Sequence, residues 1–171
     1  MQNSTKIEFS LAQKEHSDDI FKLFCDAIKN LDANNISQWD EIYPDRITID
    51  DDMEKRQMYC GMIDGRIAAV YVLNQECDRQ YENGSWMNTD APYMVIHRLC
   101  VDPFFQHQGV GTAVMKHIES VVRSNHIHSI RLDAFTENPF SCRMYEKLGY
   151  RKTGFAHWRK GQFFLMEKII D

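Results

Sequence analysis

The stretch from Val95 to Ala113, VIHRLCVDPFFQHQGVGTA, constrains the fold more than any other part of the chain. Its first half, from Met94 to Val101, is apolar on both faces, the pattern of a strand buried in the middle of a sheet. Pro103 stops that strand, because proline brings no N–H to the ladder. A polar loop with Gln106 and Gln108 leads into Gly109-Val110-Gly111, and Val110, Val114, Ile118, Val121 and Val122 continue at helical spacing. Small residues there let a backbone approach a ligand closely. The first-turn N–H groups of the helix lack an internal acceptor and point at whatever lies in front of them. This is an anion site, which the helix dipole strengthens by ~0.3–2 kcal/mol per favourable charge. The loop has no lysine, so oriented dipoles and not net charge would hold the anion. A Walker loop is disfavoured because Thr112, not lysine, follows Gly111. A dinucleotide fingerprint is disfavoured because Val114 stands where its third glycine belongs. On the glycines alone, a tight strand-to-helix turn without a ligand is the alternative.

The rest of the chain supplies the other elements of one layered domain spanning residues 1–171. Lys6–Leu11 reads as a strand. Asp18–Leu31 reads as a helix, with Ile20, Phe21, Phe24, Ile28 and Leu31 on one side and Ser17 as its cap. Asp50–Gln57 reads as a short helix. Met58–Ile63 and Arg66–Leu73 form a hairpin about Asp64-Gly65. Ser129–Ala134 is a strand, and Pro139–Leu148 is a helix closed by Gly149. Tyr150–His157 and Gln162–Ile170 make a final hairpin around Lys160-Gly161. The order β-α-α-β-β-β-α-β-α-β-β predicts a mixed α/β (α+β) fold, one sheet with helices on its faces. Two irregular stretches, Asp32–Pro44 and Glu76–Pro92, are long enough to suggest function.

Composition narrows the partners. A net charge of −5 argues against a nucleic-acid surface. No apolar run approaches the ~20 residues of a membrane span. The opening MQNSTKIEF lacks a signal pattern, which points to the cytoplasm. The five cysteines, Cys25, Cys60, Cys77, Cys100 and Cys142, form no close pairs, so neither disulfides nor a metal site is expected.

A second cluster follows the glycine loop. Asn138-Pro139 opens a helix as a cap and a first-position proline should. Asn138, Ser141, Cys142 and Tyr145 then share one helical face. The two clusters together resemble the GCN5-related N-acetyltransferase (GNAT) superfamily. Its acetyl-CoA motif, Gln/Arg-x-x-Gly-x-Gly/Ala after a strand ending Val-x-Pro, is matched by Val101-Asp102-Pro103 and Gln106–Gly111. Its second signature, Asn-x-x-Ala-x-x-x-Tyr-x-x-x-Gly-Phe, is matched at Asn138, Tyr145 and Gly149, with Ser141 and Tyr150 as mild departures.

The resemblance implies a mostly antiparallel, twisted sheet and acetyl transfer from acetyl-CoA to an amine by direct attack. It implies that the pyrophosphate rests on backbone amides of Gln106, His107, Gln108, Gly109, Val110, Gly111 and Thr112. The pantetheine arm would pair like an extra strand with Leu99, Cys100 and Val101. Asn138 would touch the same arm, and Tyr145 would protonate the departing thiolate. The Cys100 amide is a candidate for holding the oxyanion, and Cys142 a remote candidate for a covalent route. Many relatives place a glutamate where this chain has Arg98. His97 is the neighbouring candidate base, with Glu41, Asp40 and a water chain as alternatives. By strand alternation only one of His97 and Arg98 faces the acceptor; Arg98, if it does, would bind a substrate carboxylate. Trp39, Tyr43, Tyr81 and Trp86 are expected around an acceptor pocket. The acceptor expected is a small amine; a non-catalytic acyl-CoA sensor and transfer of a longer acyl group are the competing readings. The apolar run Phe163–Met166 suggests either a homodimer face or an inner strand.

Overall fold

The computed structural model describes residues 6–171. The strands are β1 (Glu8–Leu11), β2 (Met58–Ile63), β3 (Arg66–Asn74), β4 (Tyr93–Val101), β5 (Ser129–Phe135), β6 (Arg151–Trp158) and β7 (Gly161–Ile169). The helices are α1 (Ser17–Ala33), α2 (Arg46–Glu54), α3 (Val110–Ser124) and α4 (Pro139–Lys147). The strands form one sheet in the order β1-β2-β3-β4-β5-β7-β6, antiparallel except for the parallel pair β4 and β5. The element order expected from the sequence is the one found.

Two local expectations need correction. Ser17 lies inside α1, where its hydroxyl donates to Asp50 Oδ1 at 2.8 Å, and the capping position is His16. Helix α2 begins at Arg46 and not at Asp50. Asp45 accepts from the Thr48 N–H at 2.9 Å and its hydroxyl at 2.6 Å, which satisfies an end donor four residues earlier than acidity alone suggested.

The sheet is covered on both faces. Val114, Met115 and Ile118 of α3 share one core with Ala69, Tyr71, Ile130, Leu132 and Met166. Ile20 and Phe24 of α1 and Ile49 of α2 share the other with Met58, Cys60, Val70 and Val72. Each such large side chain contributes ~1.5–3 kcal/mol by leaving water. Strand β7 lies between β5 and β6, so the Phe163–Met166 run is spent within the sheet and the inner-strand alternative holds.

The feature that positions the site is a split in the sheet. Strands β4 and β5 pair only at Tyr93↔Ser129, Met94↔Ile130 and Val95↔Arg131. Beyond that point β4 stays on β3 as far as Val101, and β5 stays on β7 as far as Phe135. The paired end is clamped by Glu167, which is fully buried. It accepts from the Met87 N–H at 2.5 Å, the Asn88 N–H at 3.3 Å and Arg131 Nε at 3.2 Å. The Arg131 guanidinium is sandwiched by Trp86 and Tyr93, 4.4 and 3.7 Å from the ring centres. Trp86 therefore serves this clamp and lines no acceptor pocket.

Candidate active site

The split opens into a cleft of about 860 Å³. Leu99, Cys100 and Val101 of β4 form one wall, and Asp133, Ala134 and Phe135 of β5 the other. A gap between two strands that each keep only one neighbour is a slot for an extended molecule bearing amides.

At the outer end of this slot lies the glycine loop. His107 (φ 60°) and Gly109 (φ 78°) are both left-handed, which carries the chain sharply from the turn after Pro103 into α3. The first helical bond runs from the Ala113 N–H to the Gly109 carbonyl at 3.0 Å. The N–H groups of Val110, Gly111 and Thr112 thus have no backbone acceptor, and these residues line the cleft. A β-carbon at Gly111 would stand 3.0 Å from Met144 Sδ and 3.7 Å from Val101 Cγ2. Gln106 is a brace: its Nε2 donates to the Val101 carbonyl at 3.3 Å, and its Oε1 accepts from Asn30 at 3.1 Å. The Gln108 side chain turns back to the Phe104 carbonyl and, unlike its neighbours, Gln108 does not line the cleft. The reading of an anion site without cations is incomplete, because Lys116, Arg143 and Lys147 line the same cleft from α3 and α4.

Asn138 caps α4 by accepting from the Ser141 N–H at 3.2 Å, and its Nδ2 donates to Gln38 Oε1 at 2.9 Å. It so ties the helix to the loop after α1 at the cleft wall. Cys142 is buried with its thiol against the Phe135 carbonyl, and burial pushes its pKa up, so the reactive thiolate is disfavoured.

A second cavity, of about 620 Å³, lies on the far side of the split. The two meet at a neck of five residues: Gln38, Trp39, Leu99, Asp133 and Tyr145. Tyr145 is 7% exposed and its hydroxyl makes no hydrogen bond among the described residues. Burial pushes its pKa far above the ordinary phenol value, so it keeps its proton throughout the physiological range.

Both His97 and Arg98 line the second cavity, against the alternation rule. The reason is a bulge: Val72 opposes His97 and Val70 opposes Cys100, so Tyr71 faces two residues, Arg98 and Leu99. Arg98 takes the bulge's left-handed conformation (φ 50°). Its guanidinium is committed to Asp52, at 2.7 and 2.5 Å, and to the Tyr43 hydroxyl at 2.7 Å. It is thus neutralised rather than waiting for a substrate carboxylate. His97 Nε2 sits between two acceptors, Asn74 Oδ1 at 2.8 Å and the Glu76 carbonyl at 3.0 Å, and so carries the proton. Burial, then the neighbouring Arg98 charge, depress its pKa to about 4. It is a neutral, weakly basic imidazole outside the neck. Asp40 is held by Arg159 and Lys160, and neither it nor Glu41 lines either cavity.

Asp133 was not singled out from the sequence. It points into the neck, and its Oδ2 accepts from the Tyr81 hydroxyl at 2.7 Å. Trp39, Tyr43 and Tyr81 line the second cavity, joined by Trp158 and Phe163.

The split sheet thus carries a left-handed glycine loop at one end of its slot and a buried tyrosine where its two cavities meet. A family model for the acetyltransferase (GNAT) family matches residues 20–150, and the chain belongs to that family. Similar solved structures include a GNAT-family acetyltransferase from Streptococcus agalactiae, 22% identical over 96% of both chains with a TM-score of 0.84. The ribosomal-protein-S18-alanine N-acetyltransferase from Escherichia coli is 15% identical over 97% of this chain and 95% of that one (TM-score 0.70). The PaiA N-acetyltransferase from Thermoplasma acidophilum, in complex with coenzyme A, is 16% identical over 96% and 99% (TM-score 0.71). No curated protein matches. Among the described residues, no helix is long and apolar enough to cross a membrane, and no group of three or more His, Cys, Asp or Glu is placed to hold a metal.

Proposed function

We propose that the protein is an acetyl-CoA-dependent N-acyltransferase acting on a primary amine of a small molecule. The observation that carries this is the neck: a slot with a built anion end and a separate aromatic-walled cavity meet at an unpartnered phenol. The residues present fit coenzyme A. Free amides at Val110–Thr112 with Lys116, Arg143 and Lys147 suit a diphosphate. The gap along Leu99–Val101 suits a pantetheine chain. When bound, acetyl-CoA would supply an activated acetyl group. Tyr145 would give its proton to the leaving sulfur, and Leu99 and Trp39 would narrow the passage so that the amine meets the thioester end on. The neutral, partnerless Tyr145 hydroxyl favours catalysis over mere binding, since binding alone gives no reason to bury a phenol there.

The test is CoA release from acetyl-CoA across a panel of alkylamines, aralkylamines, polyamines and amino acids, with succinyl-CoA as a second donor. At least one primary amine should stimulate release. CoA that binds in calorimetry while no amine is acylated would support the sensor reading instead. The loop assignment has its own check. Gly111→Val places branches against Met144 and into the slot and should weaken CoA binding at least tenfold, about 1.4 kcal/mol. Unaltered calorimetric binding in that variant would sink the assignment.

A further inference from the structure

We infer that Asp133 is the general base, accepting the proton that the acceptor's ammonium must lose before it can attack; this rests on the acyltransferase reading above. Asp133 lies on β5 past the last residue paired with β4, and it lines both cavities at their neck. Only one of its oxygens is engaged: Oδ2 accepts from Tyr81, while Oδ1 has no hydrogen bond among the described residues. The second cavity is lined by the aromatic side chains Trp39, Tyr43 and Trp158, a residue type that suits a cation. At its end a cation would meet a carboxylate with a free oxygen.

The other acidic groups nearby are occupied or remote. Asp52 is bound on both oxygens by Arg98, and Glu76 and Asp78 are exposed residues of the outer cavity. The groups that act on Asp133 come from every side of the neck: Tyr81 and Asp78 from the turn before β4, Arg98 from β4, Tyr43 from the loop before α2, and Tyr145 from α4. Burial dominates and lifts the Asp133 pKa to about 6; Tyr81 and Arg98 oppose the rise and Asp78 adds to it. A carboxylate so raised is a stronger base than an exposed one, yet it is ionised at neutral pH.

The step balances as follows. One ammonium proton passes to Asp133, leaving a neutral amine. Its nitrogen forms the C–N bond to the acetyl carbon as the C–S bond breaks, and the sulfur takes the Tyr145 proton. The nitrogen's second surplus proton restores Tyr145, and Asp133 releases its own to solvent.

The pH dependence of kcat/KM tests this, using the best amine of the panel and hydroxylamine, which is uncharged at neutral pH. With the amine, kcat/KM should rise as pH increases through about 6, because the carboxylate must be ionised. Asp133→Asn should lower kcat/KM by roughly 10²–10⁴-fold and abolish that limb. With hydroxylamine, which needs no prior deprotonation, the loss should be far smaller. Tyr81→Phe removes a donor to the ionised form and should move the limb up by about one pH unit, a change that loosened packing would not produce. Tyr81→Phe, at a residue that does not line the slot, should bind CoA as the wild type does in calorimetry. An Asp133→Asn enzyme that keeps the limb, or loses activity equally with both nucleophiles, overturns the base assignment alone. A wild-type protein that binds CoA but acylates no primary amine overturns the acyltransferase reading, and this inference with it.

Discussion

If the proposed function holds, Tyr145→Phe should lower turnover by about 10²–10⁴-fold while acetyl-CoA affinity stays in place. The substitution is clean because the hydroxyl has no protein partner to abandon among the described residues. The ring keeps its edge contact with Tyr150, with centroids 5.9 Å apart, so α4 stays seated. What is lost is one proton at the neck. Without it the sulfur would have to leave as an unprotonated thiolate beside a phenol whose burial disfavours charge. Because the phenol's pKa lies far above neutrality, the defect should be similar from pH 6 to 9. Steady-state turnover with parallel calorimetry reads both quantities; full activity across that range would remove Tyr145 from the chemistry.

Glu167→Ala costs the fold about 3–5 kcal/mol, a large part of a typical domain's stability. The carboxylate is fully buried and serves Arg131 and two amides of the loop before β4. Its removal strands the Arg131 charge, which is itself only 6% exposed, and unlocks Met87 and Asn88. Urea unfolding should show the midpoint drop, and amide exchange should show faster opening of residues 86–88. Glu167→Gln, which retains an acceptor but not the charge, should fall between. An alanine variant as stable as the parent would mean that the clamp carries no energy.

Local signals made the element order legible. Asp64-Gly65, Pro103, Asn138-Pro139 and Gly149 each force the chain to turn where it does, and each acts within a few residues. The glycine loop and Tyr145 were legible for the same reason. Apart from the two helix starts at Ser17 and Arg46, the misses are long-range. Asp133 looks like an ordinary polar residue of a strand until β4 leaves β5 and exposes it. The joint exposure of His97 and Arg98 depends on a bulge opposite Tyr71, and pairing register is not written in either strand alone. The cations Lys116, Arg143 and Lys147 sit on two helices that converge only in space.

The three-pair seam between β4 and β5 makes two half-sheets joined at one end, like a clothes peg. Backbone amides that face the open jaws have no interstrand acceptor and should trade hydrogen for deuterium quickly. A chain seated between the jaws would slow that trade at Leu99–Val101 and raise the melting temperature with its concentration. Occupancy of the slot is thus readable from the protein itself, before any acceptor is known.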